Sequence, residues 1–219
     1  MDCYLCGRAI TVQPSWRGIF LNELTQVACS VCQSKFEKIS GDSCPICGFP
    51  GEGMCPDCRV WETTEYAGLI QSGNCLYRYN EAMQDYLHQY KFLQDVVLAE
   101  VFAAELHKTL KPVKSAIVPI PMHPEKLKAR TFSQVDCLLA AAGLPFTHLL
   151  KKSETVQGKK SKQERLSSAA LFSWDGKEVP EKVILVDDLY TTGTTMRHAA
   201  KALKEGGAKE IHLFSLIRG

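Results

Sequence analysis

The chain has 219 residues, 45% of them apolar, ten cysteines and a net charge of +2. That length accommodates one α/β core with a smaller module beside it, and so slight a charge excludes binding of nucleic acid by bulk charge, leaving only a local patch for such contact. No apolar run reaches about 18 residues and Met1-Asp2-Cys3 does not open a basic-then-apolar leader, so a cytoplasmic protein without membrane insertion is expected.

Eight cysteines stand before residue 60 in four Cys-x-x-Cys pairs: Cys3/Cys6, Cys29/Cys32, Cys44/Cys47 and Cys55/Cys58. Two pairs are followed by a glycine, Gly7 and Gly48, which lets backbone N–H groups turn toward the sulfurs as in zinc knuckles. Four thiolates per ion give closed tetrahedral zinc sites with no open position for a catalytic water, hence a structural module. Consecutive grouping joins Cys3, Cys6, Cys29 and Cys32 in one site and Cys44, Cys47, Cys55 and Cys58 in the other; grouping of alternate pairs satisfies the same geometry, and one set alone holding metal is a further option. A disulfide framework is the competing reading, disfavoured in a chain without a secretory leader. Cys75 and Cys137 are expected to be buried thiols.

The expected organisation is a zinc module over residues 1–60, a connecting strand pair over 61–80 and an α/β domain over 81–219. The strand pair rests on two β-rich stretches, 60–67 and 74–79, flanking Gly68-Leu69-Ile70-Gln71-Ser72-Gly73. Helical spacing over 81–110 (Met83, Leu87, Tyr90, then Val97, Val101, Ala104) predicts two helices divided near 92–95. Strands are expected at 115–120, 146–150 and 210–216, with a helix at about 132–142. This alternation predicts a mainly parallel sheet with helices on both faces.

Residues 183–186, Val-Ile-Leu-Val, read as a buried parallel strand, and Asp187 and Asp188 stand at its carboxyl end, where open α/β sheets place ligands. Thr191, Thr192, Gly193, Thr194 and Thr195 then precede a helical pattern (Met196, Ala199, Ala200, Leu203), so N–H groups, hydroxyls and the helix dipole converge on one anion position. Carboxylates for sugar hydroxyls beside a phosphate cradle describe a holder of ribose 5-phosphate. No Gly-Lys-Ser/Thr ending is present, so a Walker-type loop is excluded. Residues 151–165 carry six Lys/Arg against two Asp/Glu, and 157–165 form a polar, basic run that suits a loop closing over a polyphosphate.

The cysteine-paired start, Val118-Pro119-Ile120-Pro121 with the following His123-Pro124, Arg130-Thr131-Phe132-Ser133-Gln134, the basic run and the Asp-Asp-Leu-Tyr-Thr-Thr-Gly-Thr-Thr segment together resemble the ComF family of competence proteins, of the ComFC type. The family commonly has Gly and Asn where Thr131 and Ser133 stand, and an asparagine where Ser168 stands. The resemblance implies an α/β fold with the mainly parallel sheet of the type I phosphoribosyltransferases, joined to an amino-terminal zinc-binding module. It implies support of DNA uptake in natural transformation, a site for phosphoribosyl pyrophosphate or a nucleotide, and association with single-stranded DNA or a ComFA-like helicase. By the same resemblance Asp187 and Asp188 engage ribose hydroxyls directly or through Mg²⁺, residues 191–195 hold the 5-phosphate, Pro121 and Met122 border the pyrophosphate, and Lys160, Lys162 and Arg165 are candidates for neutralising the leaving group. An active phosphoribosyltransferase with an unidentified acceptor is the alternative. With the last strand expected near Gly219, an acceptor-binding hood is expected in the zinc module or not at all.

Overall fold

The structure, a computed structural model, describes residues 1–10, 26–152 and 171–219. In chain order its elements are α1 (Ser30–Gln33), α2 (Pro56–Trp61), β1 (Ser72–Arg78), α3 (Glu81–Phe92), a 3-10 helix (Val96–Phe102), α4 (Ala103–Leu110), β2 (Ala116–Pro119), α5 (Pro124–Arg130), α6 (Gln134–Ala141), β3 (Leu150–Lys152), β4 (Phe172–Trp174), β5 (Lys182–Tyr190), α7 (Thr194–Glu205) and β6 (Glu210–Arg218). Strands β1, β6, β5 and β2 lie side by side in that order, every neighbouring pair parallel. A separate antiparallel pair joins β3 and β4. The expected α/β class with a mainly parallel sheet is therefore what the chain adopts, and none of its described helices is long and apolar enough to cross a membrane.

The apolar run in β5 is unbroken because both sheet faces are covered. Ile184 and Val186 face a core built from Met83, Tyr86 and Tyr90 of α3, Leu106 of α4 and Leu138 of α6. Val183 and Leu185 face Met196, Ala199 and Leu203 of α7 together with Cys44, Cys47, Cys55 and Cys58. The second cysteine group is thus part of the cover of the main sheet, whereas Cys3 and Cys32 form a small satellite cluster with Ala28. Contact with β1 is backbone to backbone: Gly73 N donates to Pro45 O at 2.9 Å. Gly48 sits at φ +67°, and a Cβ there would lie 2.7 Å from Cys75 N, so the knuckle seats on the strand only with glycine at this position.

Three local expectations differ from the structure. Residues 60–67 are not a strand: Pro56 and the Cys55 cap start α2, and the Thr63 and Thr64 hydroxyls donate to Val60 O and Trp61 O, closing the helix into turns. β1 accordingly finds its partner 140 residues on, in β6, rather than in a hairpin. Residues 146–149 give the main sheet one backbone bond, Thr147 N to Ile117 O at 2.9 Å, while Leu149 O already accepts from Asp175 N at 3.0 Å beyond β4, before Leu150 pairs with β4. Helix α5 forms within a stretch of unassigned character, started by Pro124 at its first position and by the His123 ring, which accepts from Glu125 N. The expected division near 92–95, the strand at 210–216 and the helix ending near 142 match their elements to within a few residues.

Candidate functional site

The cysteine pairs assemble consecutively. Cys3, Cys6, Cys29 and Cys32 bring four sulfurs within 4.8 Å of one another, and so do Cys44, Cys47, Cys55 and Cys58. In each group one pair comes from a knuckle, where Gly7 N and Gly48 N donate to Cys3 O and Cys44 O at 2.8 Å, and the other from the start of a short helix. A tetrahedral ion with Zn–S bonds of about 2.3 Å needs sulfurs about 3.8 Å apart. Cys6 and Cys29 sulfurs lie 3.8 Å apart and those of Cys47 and Cys55 3.6 Å, so both groups fit a zinc ion. Within the second group the Cys58 thiol hydrogen-bonds to Cys47 and pushes its pKa down to about 5, so a thiolate is ready for a metal. Cys75 is a buried thiol, pushed up to about 12 by burial; Cys137 is half-buried against the core.

The carboxyl ends of β2 and β5 open onto a cavity of about 160 Å³. Register brings its walls together: Pro119 pairs with Val186, and Ile120 N donates to Val186 O at 2.9 Å, setting Pro121 and Met122 beside Asp187. Asp187, Asp188, Pro121, Met122 and Thr195 line the cavity. The remaining loop residues, Thr191, Thr192, Gly193 and Thr194, are not among its lining residues. Lys160, Lys162 and Arg165 lie outside the described residues.

Four cations also line the cavity: Lys91, Lys126, Arg130 and Lys152. Lys91, in the last turn of α3, bonds Asp188 through both carboxylate oxygens, at 2.8 and 2.7 Å. Asp187 accepts from Asp188 N at 2.9 Å. Burial, and then the neighbouring charge of Asp188, raise Asp187 to about 7, with Lys91 and Lys152 opposing. Lys152 is lowered by its own burial. Two donors complete the wall. Arg130 Nη1 donates to Gln134 Oε1 at 3.1 Å, which fixes the amide and leaves Gln134 Nε2 buried without a partner among the described residues. Glu125 N donates to His123 Nδ1 at 3.3 Å, which puts the proton of a neutral ring on Nε2, and this atom too is buried without a partner among the described residues. Unpaired buried donors cost about 1–3 kcal/mol each, a cost that a ligand oxygen removes.

The loop 191–195 is built as an open helix start. Gly193 at φ +79° takes the cap position of α7 and no side chain caps the helix, so the threonine hydroxyls are not consumed by capping. Thr192 and Thr194 hydroxyls lie 3.0 Å apart. A Cβ on Gly193 would collide with Tyr190 Oη and Arg197 Nη1.

The model of the phosphoribosyl transferase domain matches residues 91–219. Competence protein ComFC of Streptococcus pneumoniae (strain ATCC BAA-255 / R6) is 38% identical, over the full length of both chains. The chain belongs to the ComFC family. Competence protein ComFC of Bacillus subtilis (strain 168) is 34% identical over 99% of this chain and 94% of its own. The DNA utilization protein YhgH of Escherichia coli (strain K12) is 26% identical, over 87% and 89%. The domain match leaves β1 outside although β1 is a strand of the same sheet. In the family's Arg-Gly-Phe-Asn-Gln position, Thr131 stands at φ +67°, the left-handed conformation that glycine favours. Sequence reasoning missed Lys91 and the roles of His123, Gln134 and Lys152; Gln134 was visible as the end of the Arg-Thr-Phe-Ser-Gln segment, but Lys91 carries no motif.

Proposed function

We propose that the cavity binds a phosphorylated ribose, either phosphoribosyl pyrophosphate or a nucleotide of the same shape, and that the protein uses this site in handling DNA during natural transformation. The observation that carries this reading is the convergence on one cavity of four cations, two carboxylates and two residues, His123 and Gln134, each with a buried nitrogen that has no partner among the described residues, beside an uncapped helix start. Asp187 and Asp188 hold the sugar hydroxyls, with Mg²⁺ accompanying the pyrophosphate. Residues 191–195 take the 5-phosphate. Pro121 and Met122 shape the pyrophosphate pocket, and Lys126 and Arg130 supply its countercharge. The relatives' names, competence protein and DNA utilization protein, support the DNA setting.

Single-stranded DNA fits the surface at the cavity mouth. No residue of α5 is buried, and Lys126, Lys128 and Arg130 project from it; Arg130 lies 5.3 Å from the centre of the exposed Phe92 ring. Cations beside an aromatic face are what an unpaired strand recognises, phosphates on the one and a base on the other. A helicase of the ComFA kind is the protein partner in this reading. The test pairs two assays on the zinc-loaded chain. Salt-dependent binding of oligothymidylate, with the salt slope lowered by about one on replacing Lys126 or Arg130, supports the DNA role. Consumption of phosphoribosyl pyrophosphate with a defined base, with no DNA binding at low salt, makes the protein a phosphoribosyltransferase instead.

A further inference from the structure

The second cysteine group touches the anion loop through three buried side chains. Trp61, the last residue of α2, donates from Nε1 to Thr192 O at 2.8 Å. Arg197, on the first turns of α7 and only 1% exposed, donates to Cys58 Sγ at 3.3 Å and to Tyr190 Oη at 2.7 Å, and its guanidinium lies 4.8 Å from the centre of the Trp61 ring. Tyr190 Oη and Arg197 Nη1 in turn floor the loop at Gly193, so close that no Cβ fits between them. Thr192 and Gly193 are thus held from below by a tryptophan and an arginine whose own positions depend on α2.

Helix α2 has six residues, too few to hold itself in water. It begins at Cys55 and contains Cys58, two of the four sulfurs of its group, so a metal ion there fixes both ends of the contact: the Cys58 sulfur beneath Arg197 and the Trp61 indole beneath Thr192. The first cysteine group shares none of these residues.

We infer that the second four-cysteine centre is the foundation of the phosphate loop, with Trp61 and Arg197 as positioning residues, and that zinc at Cys44, Cys47, Cys55 and Cys58 and a phosphate monoester at residues 191–195 each strengthen the binding of the other. This coupling rests on the cradle reading of that loop. Coupling of this kind is reciprocal, so it is readable from either side, and typical values put it at about tenfold.

The experiment uses the zinc-loaded full chain, ribose 5-phosphate as ligand and a chromophoric chelator. In equilibrium competition with the chelator, saturating ribose 5-phosphate raises the affinity for one of the two zinc ions by about tenfold and leaves the other unchanged. Trp61→Phe keeps the ring under Arg197 but removes the donor to Thr192 O; it retains both zinc ions and its cooperative unfolding, binds ribose 5-phosphate about tenfold more weakly and loses the protection of zinc. A Trp61→Phe protein that unfolds early is replaced in the test by the wild-type competition experiment, which stands alone. If the wild-type protein binds no ribose 5-phosphate, the cradle reading and the coupling fall together. If it binds, but the affinities for both zinc ions ignore the ligand, the cradle stands and the coupling is wrong.

Discussion

Lys91 and Asp188 form a two-point ion pair, Nζ to Oδ1 at 2.8 Å and to Oδ2 at 2.7 Å, across 97 residues of sequence and at the wall of the cavity between β2 and β5. Both side chains are largely shielded, so the pair ties the end of α3 to the end of β5. Beside it, burial and then the charge of Asp188 raise the pKa of Asp187. Removing the cation alone strands a shielded carboxylate, which by the behaviour of buried pairs costs about 3 kcal/mol. Lys91→Met is expected to lose that amount in urea unfolding, and Lys91→Met with Asp188→Asn to regain much of it; a loss below about 0.5 kcal/mol would show the pair to be a surface contact.

Asp187 gives a pH dependence with two opposite signs. Its folded pKa, about 7, lies above the ordinary carboxylate value, so the stability it contributes is full at low pH and is lost as pH rises through about 7. Unliganded Asp187→Asn is therefore expected to be more stable than the wild type at pH 8 and no more stable at pH 4. Binding of phosphoribosyl pyrophosphate needs the ionised form and is expected to strengthen about tenfold from pH 6 to pH 8, beyond any titration of the ligand itself. Asp187→Asn removes the ligand's share from the comparison: the same affinity ratio in both proteins would refute the assignment.

Thr131 holds the left-handed position that closes α5, where the family commonly has glycine. A side chain there costs about 1 kcal/mol. Thr131→Gly is expected to raise the thermal midpoint by roughly 2–4 °C without altering ligand affinity. A lower midpoint would mean that the Thr131 hydroxyl bond to Arg130 O, at 2.6 Å, outweighs the strain.

Zinc removal is expected to act unequally. Cys44, Cys47, Cys55 and Cys58 pack on the sheet with Val183, Leu185 and Met196, whereas Cys3 and Cys32 sit in a small cluster of their own. Elemental analysis should find two zinc ions per chain, and chelation of the second should destabilise the α/β core as well as the amino-terminal residues. A core that melts identically with and without zinc would contradict this packing.

Features that rest on local pattern were legible in the sequence. The run 183–186 is apolar throughout because two faces cover it, and Cys-x-x-Cys spacing itself brings two sulfurs to one ion. The carboxylates and the glycine-centred loop were legible from their place after that apolar run, although β5 does not end at residue 186 as expected but carries on through Asp187 and Asp188, paired with β6, to Tyr190. What stayed hidden is long-range. Lys91, Trp61 and Arg197 meet partners 97, 131 and 139 residues away, and nothing near them in sequence marks the meeting. Residues 60–67 misled because Val60, Trp61 and Tyr66 are β-formers by type, while the Cys55 cap, Pro56 and two threonine hydroxyls decide the local backbone.

The central claim is that the cavity at the ends of β2 and β5 is a phosphoribosyl site, and calorimetric titration of the zinc-loaded protein with phosphoribosyl pyrophosphate and Mg²⁺ tests it most directly. Saturable binding at one site per chain, weakened at least tenfold by Asp187→Asn in a protein that still folds, is the predicted result. Absence of binding in the wild type, or equal affinity in Asp187→Asn, would contradict it.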